Sequence, residues 1–248
     1  MRIVQNTFAF IWLLWGAVVF MAVVAPLTII YFFVLTIGGK KYSMKCVWVN
    51  CRYASPLILR LIGIRMKIYG AEKIDPTRTY VFVSNHRAQI DIISNAAAVP
   101  VPIRFLAKSE VKYIPLFGFM VKMLGIMVDR KSKESREKSF QYMAEAIGKG
   151  ESLFIYPEGT RNRTDESIKE FKDGAFRVAI LAQAPIAVQT LVNTRELNDP
   201  RKFHLLPGTV ELYWSKPIET IGLTIEDIPE LKEKVKSEML RHLQQKNK

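Results

Sequence analysis

The sequence has little of what metal, redox or nucleotide chemistry needs. It contains two cysteines, Cys46 and Cys51, and three histidines in 248 residues. Two cysteines do not build a disulfide framework, and their C-x4-C spacing has no further Cys or His nearby to complete a zinc site. Both read as reduced small hydrophobes near the membrane end. His204 and His242 have no ligand spacing to His86, so no metal site is expected. Neither a P-loop nor a G-x-G-x-x-G fingerprint occurs, and no cofactor is expected. Internal repeats and low-complexity linkers are missing too.

Charge is missing from one long stretch. Phe8 to Ile37 is 30 residues without a single charged side chain. A helix needs about 20 apolar residues to cross a bilayer. A secretory signal has a core of roughly 7–15 residues and a small-residue cleavage site. This run is too long for a signal and is expected to stay on the mature protein. Pro26 lies inside it, which predicts a kink or break, because proline removes a helix donor and clashes with the preceding turn. Two geometries follow: one kinked helix crossing the bilayer, or two shorter helices entering and leaving one leaflet. Lys40, Lys41, Lys45 and Arg52 follow the run, and only Arg2 precedes it. That asymmetry predicts that the basic cluster, and with it the rest of the chain, lies on the cytoplasmic side. The next stretch, Met44 to Ile64, reads either as an interfacial helix with snorkelling basic residues or as an ordinary amphipathic core helix.

Acidic residues are scarce beside basic ones, 23 against 36, for a formal charge of +13. The surplus favours anionic partners: nucleic acid, acidic lipid headgroups, phosphorylated small molecules or an acidic carrier protein. Single-strand binding needs aromatics interleaved with the basic residues. Here many aromatics lie in the apolar run and the expected core, so nucleic acid is not an expected partner.

Beyond Arg65 the chain alternates. The β-rich runs "MKIYG", "TYVFVSN", "IRFLAK", "GIMVDR" and "SLFIYPEG" have helical stretches between several of them, at Ile90–Ala98, Leu116–Leu124 and Ser135–Gly148. A helix from Gly174 to Gln183, the strand "PIAVQTL", further strands in "FHLLPGTVELYWSKPI" and a terminal helix, Leu231 to Gln245, follow. The expected fold is α/β: a mixed, mostly parallel central sheet flanked by helices, with an N-terminal membrane-embedded helical segment. Residues 1–64 form the expected anchor and interfacial segment, and 65–248 the catalytic domain.

In open α/β sheets, ligands gather at the carboxyl ends of strands. Four expected strand ends present a chemically useful residue: His86, Lys108, Arg130 and Glu158. Asp91 stands five residues after His86. On one continuous helix such a pair would diverge by ~140°. The two can meet only if His86 lies in the bend before a helix and Asp91 in its first turns. Asp91 would then fix the imidazole tautomer, and the other ring nitrogen could take a proton from a substrate hydroxyl. The bland alternative is a capping or core histidine. In "YPEGTR", Pro157 and Gly159 force a turn, and Thr160 and Arg161 offer a hydroxyl and a planar fork of donors suited to phosphate. Glu158 either holds a substrate hydroxyl or pairs with Arg161. Lys108 suits a phosphate as a point charge. Arg130 leads into the charge run "KSKES".

Taken in order, "NHRAQID", "FLAKSEVKYIPLFG" through "GIMVDR", "YPEGTR" and "APIAVQT" resemble the blocks of the 1-acyl-sn-glycerol-3-phosphate acyltransferase family, the PlsC-like lysophosphatidic acid acyltransferases. Tyr156 stands where the family usually has Phe, and Ala184 departs from its VPI or VPV. The apolar N-terminus is similar to the two-helix membrane motif of bacterial members. The resemblance implies acyl transfer from acyl-CoA or acyl-carrier protein to the sn-2 hydroxyl of lysophosphatidic acid at a phospholipid membrane. It implies His86 as general base and Asp91 as its orienting partner. Lys108, Glu158, Gly159, Thr160 and Arg161 would hold the acceptor and its phosphate, with Arg130 nearby and backbone amides near Gly159 as oxyanion donors. Alternatives are another lysophospholipid or amino-lipid acceptor, or a non-catalytic lipid-binding protein.

Overall fold

The computed structural model of the chain describes residues 2–108, 110, 113, 117–128 and 133–245. Helix α1 (Arg2–Gly38) leads through a short 3-10 turn to α2 (Ser43–Val49), a π turn at Asn50–Ala54 and α3 (Ser55–Leu61). Then follow β1 (Ile64–Tyr69), β2 (Val81–Ser84), α4 (Asp91–Ala98), β3 (Ile103–Lys108), α5 (Phe117–Leu124), β4 (Ile126–Val128) and α6 (Lys133–Gly148). The chain ends with β5 (Ser152–Ile155), α7 (Gly174–Leu181), β6 (Ile186–Val192), α8 (Thr194–Leu197), β7 (Gly208–Trp214) and α9 (Ile228–Gln245).

The strands form one sheet in the order β1-β7-β6-β2-β5-β3-β4. All neighbours run parallel except β6 and β7. A parallel sheet must be covered on both faces. Accordingly β2, β5 and β6 are buried at every residue. Side chains alternate between faces. Phe82, Phe154, Ala187 and Leu191 share one core with α1, α3 and α4. Val81, Val83, Leu153, Ile155 and Val188 share the other with α6, α7 and α9.

The N-terminal helix differs from expectation in one respect. α1 runs unbroken for 37 residues through Pro26. Proline costs one backbone bond there, but Val24 and Tyr31 are buried in the core on either side of it. Packing therefore keeps both turns in one continuous helix. The helix is bound to the sheet-bearing unit along its length. Trp12 Nε1 donates to the Ile62 carbonyl at 3.0 Å and Trp15 Nε1 to that of Leu61 at 3.1 Å. Further on, Phe32 packs on Phe119 of α5. Gly63, at φ +73°, closes α3, and a Cβ there would lie 2.7 Å from Pro207.

The stretch from Met44 to Ile64 packs one face into the core and leaves the other exposed. Cys46, Cys51, Ile58 and Leu59 are buried, while Arg52, Tyr53, Leu57 and Arg60 are exposed. Its π turn immediately precedes Pro56 and lets the Ser55 amide bond to the Asn50 carbonyl.

Candidate active site

Parallel pairing sets the site. β2 lies between β5 and β6, with Val83 opposite Ile155 and Ser84 opposite Gln189. The three strands therefore leave the sheet at the same edge, side by side. β3, parallel to β5, ends there as well at Lys108, which pairs with Val128 of β4.

The chain bends between Ser84 and Asp91, and His86 sits in that bend. Asp91 opens α4 and reaches back: its Oδ2 accepts the His86 Nδ1 at 2.9 Å and the backbone amides of Arg87 and Ala88 at 2.6 and 2.7 Å. A carboxylate surrounded by three donors accepts only, so Nδ1 carries the proton. The lone pair of Nε2 is then available, and among the described residues no hydrogen bond occupies it. Asp91 is fully buried, and the His86 side chain is 10% exposed. A substrate can reach the imidazole but not the carboxylate.

Three further contacts fix the histidine. Asn85 makes two side-chain bonds to the Leu191 backbone, at 2.9 and 2.8 Å, and so carries the β2–β6 pairing past Ser84. The His86 amide donates to Glu158 Oε1 at 2.8 Å, and the His86 carbonyl accepts the Asn162 amide at 2.7 Å. The ring of Tyr156 stacks on the imidazole, centroids 4.0 Å apart and planes within 18°. Asn95, one helical turn after Asp91 on α4, donates to the Tyr156 hydroxyl at 2.9 Å. Phe82, Phe154 and Tyr156 continue that stack into the core.

Tyr156→Phe is accordingly expected to keep kcat within a few-fold of wild type. It should lower the melting temperature by the equivalent of about 1–3 kcal/mol, since Asn95 loses its buried partner. Tyr156→Ala also loses the stacked ring, and initial rates should fall about 2- to 10-fold further.

Glu158 is buried, and its second oxygen accepts the Lys169 amide at 2.9 Å. Burial pushes its carboxyl pKa up, the amides of Lys169 and His86 and the His86 charge pull it back, and the net direction is upward. It does not pair with Arg161. Both of its oxygens are spent joining the "YPEGTR" turn to the His86 bend and to the loop before α7. Gly159 adopts φ +71°, and its amide closes the turn on the Tyr156 carbonyl at 3.0 Å. Thr160 is exposed and Arg161 half-buried, and the Arg161 guanidinium makes no hydrogen bond or ion pair among the described residues. Lys108 ends β3 at the right edge, but its side chain, like all of Arg130, lies outside the described residues.

A loop after α8 completes the support. Asn198 Oδ1 accepts the amides of Gln89 and Ile90 at 2.8 and 3.3 Å, and its Nδ2 donates to the His204 carbonyl. Burial raises the pKa of neighbouring Asp199, yet hydrogen bonds from Arg201 and the charges of Arg201 and Arg195 outweigh it and hold the carboxyl at about 2. Asn95 could have been found as the residue four after Asp91 on one helix face. Asn198 had no such signal, being 109 residues from Gln89.

The arrangement is a partly accessible histidine held by a buried carboxylate at the open edge of a parallel sheet. Among the described residues, no cluster of His, Cys, Asp and Glu is fit to hold a metal. The family model described as Acyltransferase matches residues 65–191, which include His86, Asp91 and the whole "YPEGTR" turn. The chain belongs to this acyltransferase family. It is 28% identical to the 1-acyl-sn-glycerol-3-phosphate acyltransferase of Saccharomyces cerevisiae, over 85% of this chain and 69% of the relative. It is 31% identical to the alpha enzyme of that name from Mus musculus, over 73% of this chain and 64% of the relative. The crystal structure of the 1-acyl-sn-glycerophosphate acyltransferase PlsC from Thermotoga maritima has the same fold, with a TM-score of 0.78 at 21% identity, covering 100% of this chain and 98% of that one. In this acyltransferase the dyad lies in the bend after β2 and is braced from the ends of β5 and β6.

Proposed function

We propose that this acyltransferase moves an acyl group from a thioester donor to the sn-2 hydroxyl of 1-acyl-sn-glycerol-3-phosphate, making phosphatidic acid. The observation that carries the reading is the dyad: a histidine with its Nδ1 proton given to a buried aspartate and its Nε2 open to a substrate. The names of the relatives supply the acceptor. Nε2 takes the proton of the sn-2 hydroxyl as its oxygen attacks the thioester carbonyl. The tetrahedral intermediate collapses, the C–S bond breaks, and the thiolate takes the proton back from the imidazolium. A positioned base of this kind typically contributes about 10²–10⁴-fold. A thioester is already activated, so the step requires no acyl-enzyme.

The residues divide by task. His86 is the base and Asp91 its orienting partner. Glu158 braces the bend, and Arg161, with Lys108 and Arg130 from the neighbouring strand ends, supplies positive charge for the acceptor phosphate. Residues 1–64 act as the membrane anchor of the catalytic domain 65–248. α1 is long and apolar enough to cross a membrane. Yet its contacts run from Trp12 to Phe32, ~30 Å of helix, which is about the thickness of the bilayer core. A helix tied to the catalytic unit over that length lies along the membrane surface more readily than across it. Phe8, Ile11, Ile29, Phe33 and Ile37 are exposed for the acyl chains. Exposed Lys41, Lys45, Arg52 and Arg60 stand beside them for anionic headgroups on the cytoplasmic side of the inner membrane.

A product assay tests the function. Purified protein in mixed micelles is given lysophosphatidic acid with acyl-CoA or with acyl-carrier protein, and His86→Ala runs beside it. Phosphatidic acid is expected from wild type, with its donor preference read from the two reactions. Transfer to a different lysolipid in the same assay would move the reading to that acceptor. Lipid binding without any thioester-dependent product would end the catalytic reading.

A further inference from the structure

Among the described residues, two guanidinium groups near the dyad make no hydrogen bond or ion pair. Arg161 is one; Arg87, the residue after His86, is the other. Arg87 is half-buried and its Nε is buried, yet its side chain makes no hydrogen bond or ion pair among the described residues. The fold does not usually leave arginines this way. Arg104, comparably enclosed, is bonded to Glu151, to the Leu124 carbonyl and to Ser43. Arg195 is bonded to Asp165 and the Thr164 carbonyl.

Three carboxylates act on Arg87 through their charge, Glu196 most and then Glu158 and Asp91, but none is hydrogen-bonded to it among the described residues. Asp91 holds His86 and two amides, and Glu158 holds two amides. Burial and the charge of Arg195 outweigh the three carboxylates and lower the Arg87 pKa. A cation withdrawn from water without a partner costs stability. It is worth keeping where an anionic ligand supplies the partner.

Position says which ligand. The Arg87 amide is bonded to Asp91, so the residue is fixed at the dyad. The hydrogen bond from the Asn162 amide to the His86 carbonyl joins the two loops, with Arg161 just before it on one and Arg87 just after it on the other. An acyl-CoA carries its phosphates beyond the whole pantetheine arm, far from the thioester that reacts at His86. A lysolipid carries its phosphate only a few bonds from the sn-2 oxygen.

We propose that Arg87 binds the phosphate of the lysolipid acceptor, forming with Arg161 a two-arginine clamp beside His86. The proposal rests on the lysophosphatidate reading of the site. A guanidinium presents a planar fork that matches two phosphate oxygens.

Arg87→Gln is expected to raise KM for lysophosphatidic acid about 10- to 100-fold. KM for acyl-CoA and turnover of a neutral monoacylglycerol should stay unchanged. Arg87→Lys keeps the charge without the fork and should fall between the two. The melting temperature of Arg87→Gln should equal or exceed that of wild type, because an unpaired cation has been removed. An unchanged KM for lysophosphatidic acid, a shift in the acyl-CoA KM instead, or a clear fall in melting temperature overturns the proposal. A binding titration of lysophosphatidic acid in mixed micelles, without donor, is the second arm. Equal affinities of wild type and Arg87→Gln overturn the proposal whichever acceptor the enzyme turns over. The functional reading fails on a different result, a wild-type enzyme that binds lysophosphatidic acid and makes no phosphatidic acid from it.

Discussion

His86→Ala is expected to lose acyl transfer by about 10²–10⁴-fold, and Asp91→Asn by a comparable factor for a separate reason. The asparagine oxygen can still take the amides of Arg87 and Ala88, which Asp91 accepts at 2.6 and 2.7 Å. His86 Nδ1 donates to the same Oδ2 at 2.9 Å, so an asparagine oxygen in that place keeps all three bonds. What is lost is the negative charge that stabilises the imidazolium formed when Nε2 takes a proton. The nitrogen facing the substrate is then a weaker base. Both variants should melt cooperatively and keep KM for the acceptor within a few-fold, because neither residue holds the phosphate. The measurement is initial rate against lysophosphatidate concentration, beside thermal melts. Wild-type kcat in purified His86→Ala would remove the histidine from the mechanism, and unchanged kcat in Asp91→Asn would remove the carboxylate's charge from it.

Much of the sheet was legible because each strand is a short apolar run ended by Gly, Pro or a charge. "IRFLAK" is β3 to the residue, and "PIAVQTL" is β6 within one residue at either end. Fully buried central strands read as continuous runs, and these did. Pro26 misled, because a proline's local cost is fixed while the packing that offsets it is not visible in the chain. Buried Val24 and Tyr31 flank it on α1, and the helix continues without a break. The amphipathic stretch from Met44 to Ile64 was ambiguous because it has two apolar surfaces, one against the sheet and one exposed beside Arg52 and Arg60.

The dyad was legible for a geometric reason. A five-residue separation excludes one continuous helix and leaves a bend, and the bend is what β2 and α4 enclose. The residues that hold the bend were not legible, because their partners are distant in sequence. Asn198 reaches Gln89 across 109 residues, and Glu158 reaches His86 across 72. Glu158 and Arg161 looked like a pair since opposite charges three residues apart usually can meet. Parallel pairing of β2 with β5 instead offered the carboxylate two backbone amides, and a buried amide has no other acceptor nearby.

That brace makes Glu158 the residue whose loss should be felt in both stability and rate. Glu158→Ala leaves the His86 and Lys169 amides buried without acceptors, at about 1–3 kcal/mol each, and releases the bend that presents Nε2. We expect a melting temperature well below wild type and kcat reduced about 10²-fold, the scale that a small misplacement of a catalytic group costs. Glu158→Gln separates charge from shape. It keeps one good acceptor, so one amide faces an NH2 group, and its rate should lie between wild type and Glu158→Ala. Its pH dependence has a definite sign. Burial raises the Glu158 pKa in the folded state above the ordinary carboxylate value. The folded protein therefore holds this proton to higher pH than the unfolded chain does, and the group adds stability as pH falls from neutral toward the unfolded pKa. Glutamine cannot titrate and adds nothing in that window. The gap in melting temperature between wild type and Glu158→Gln should widen on acidification from pH ~7 to ~4.5. A gap that narrows over the same range would mean that the two amide bonds outweigh burial and hold the carboxylate as the anion.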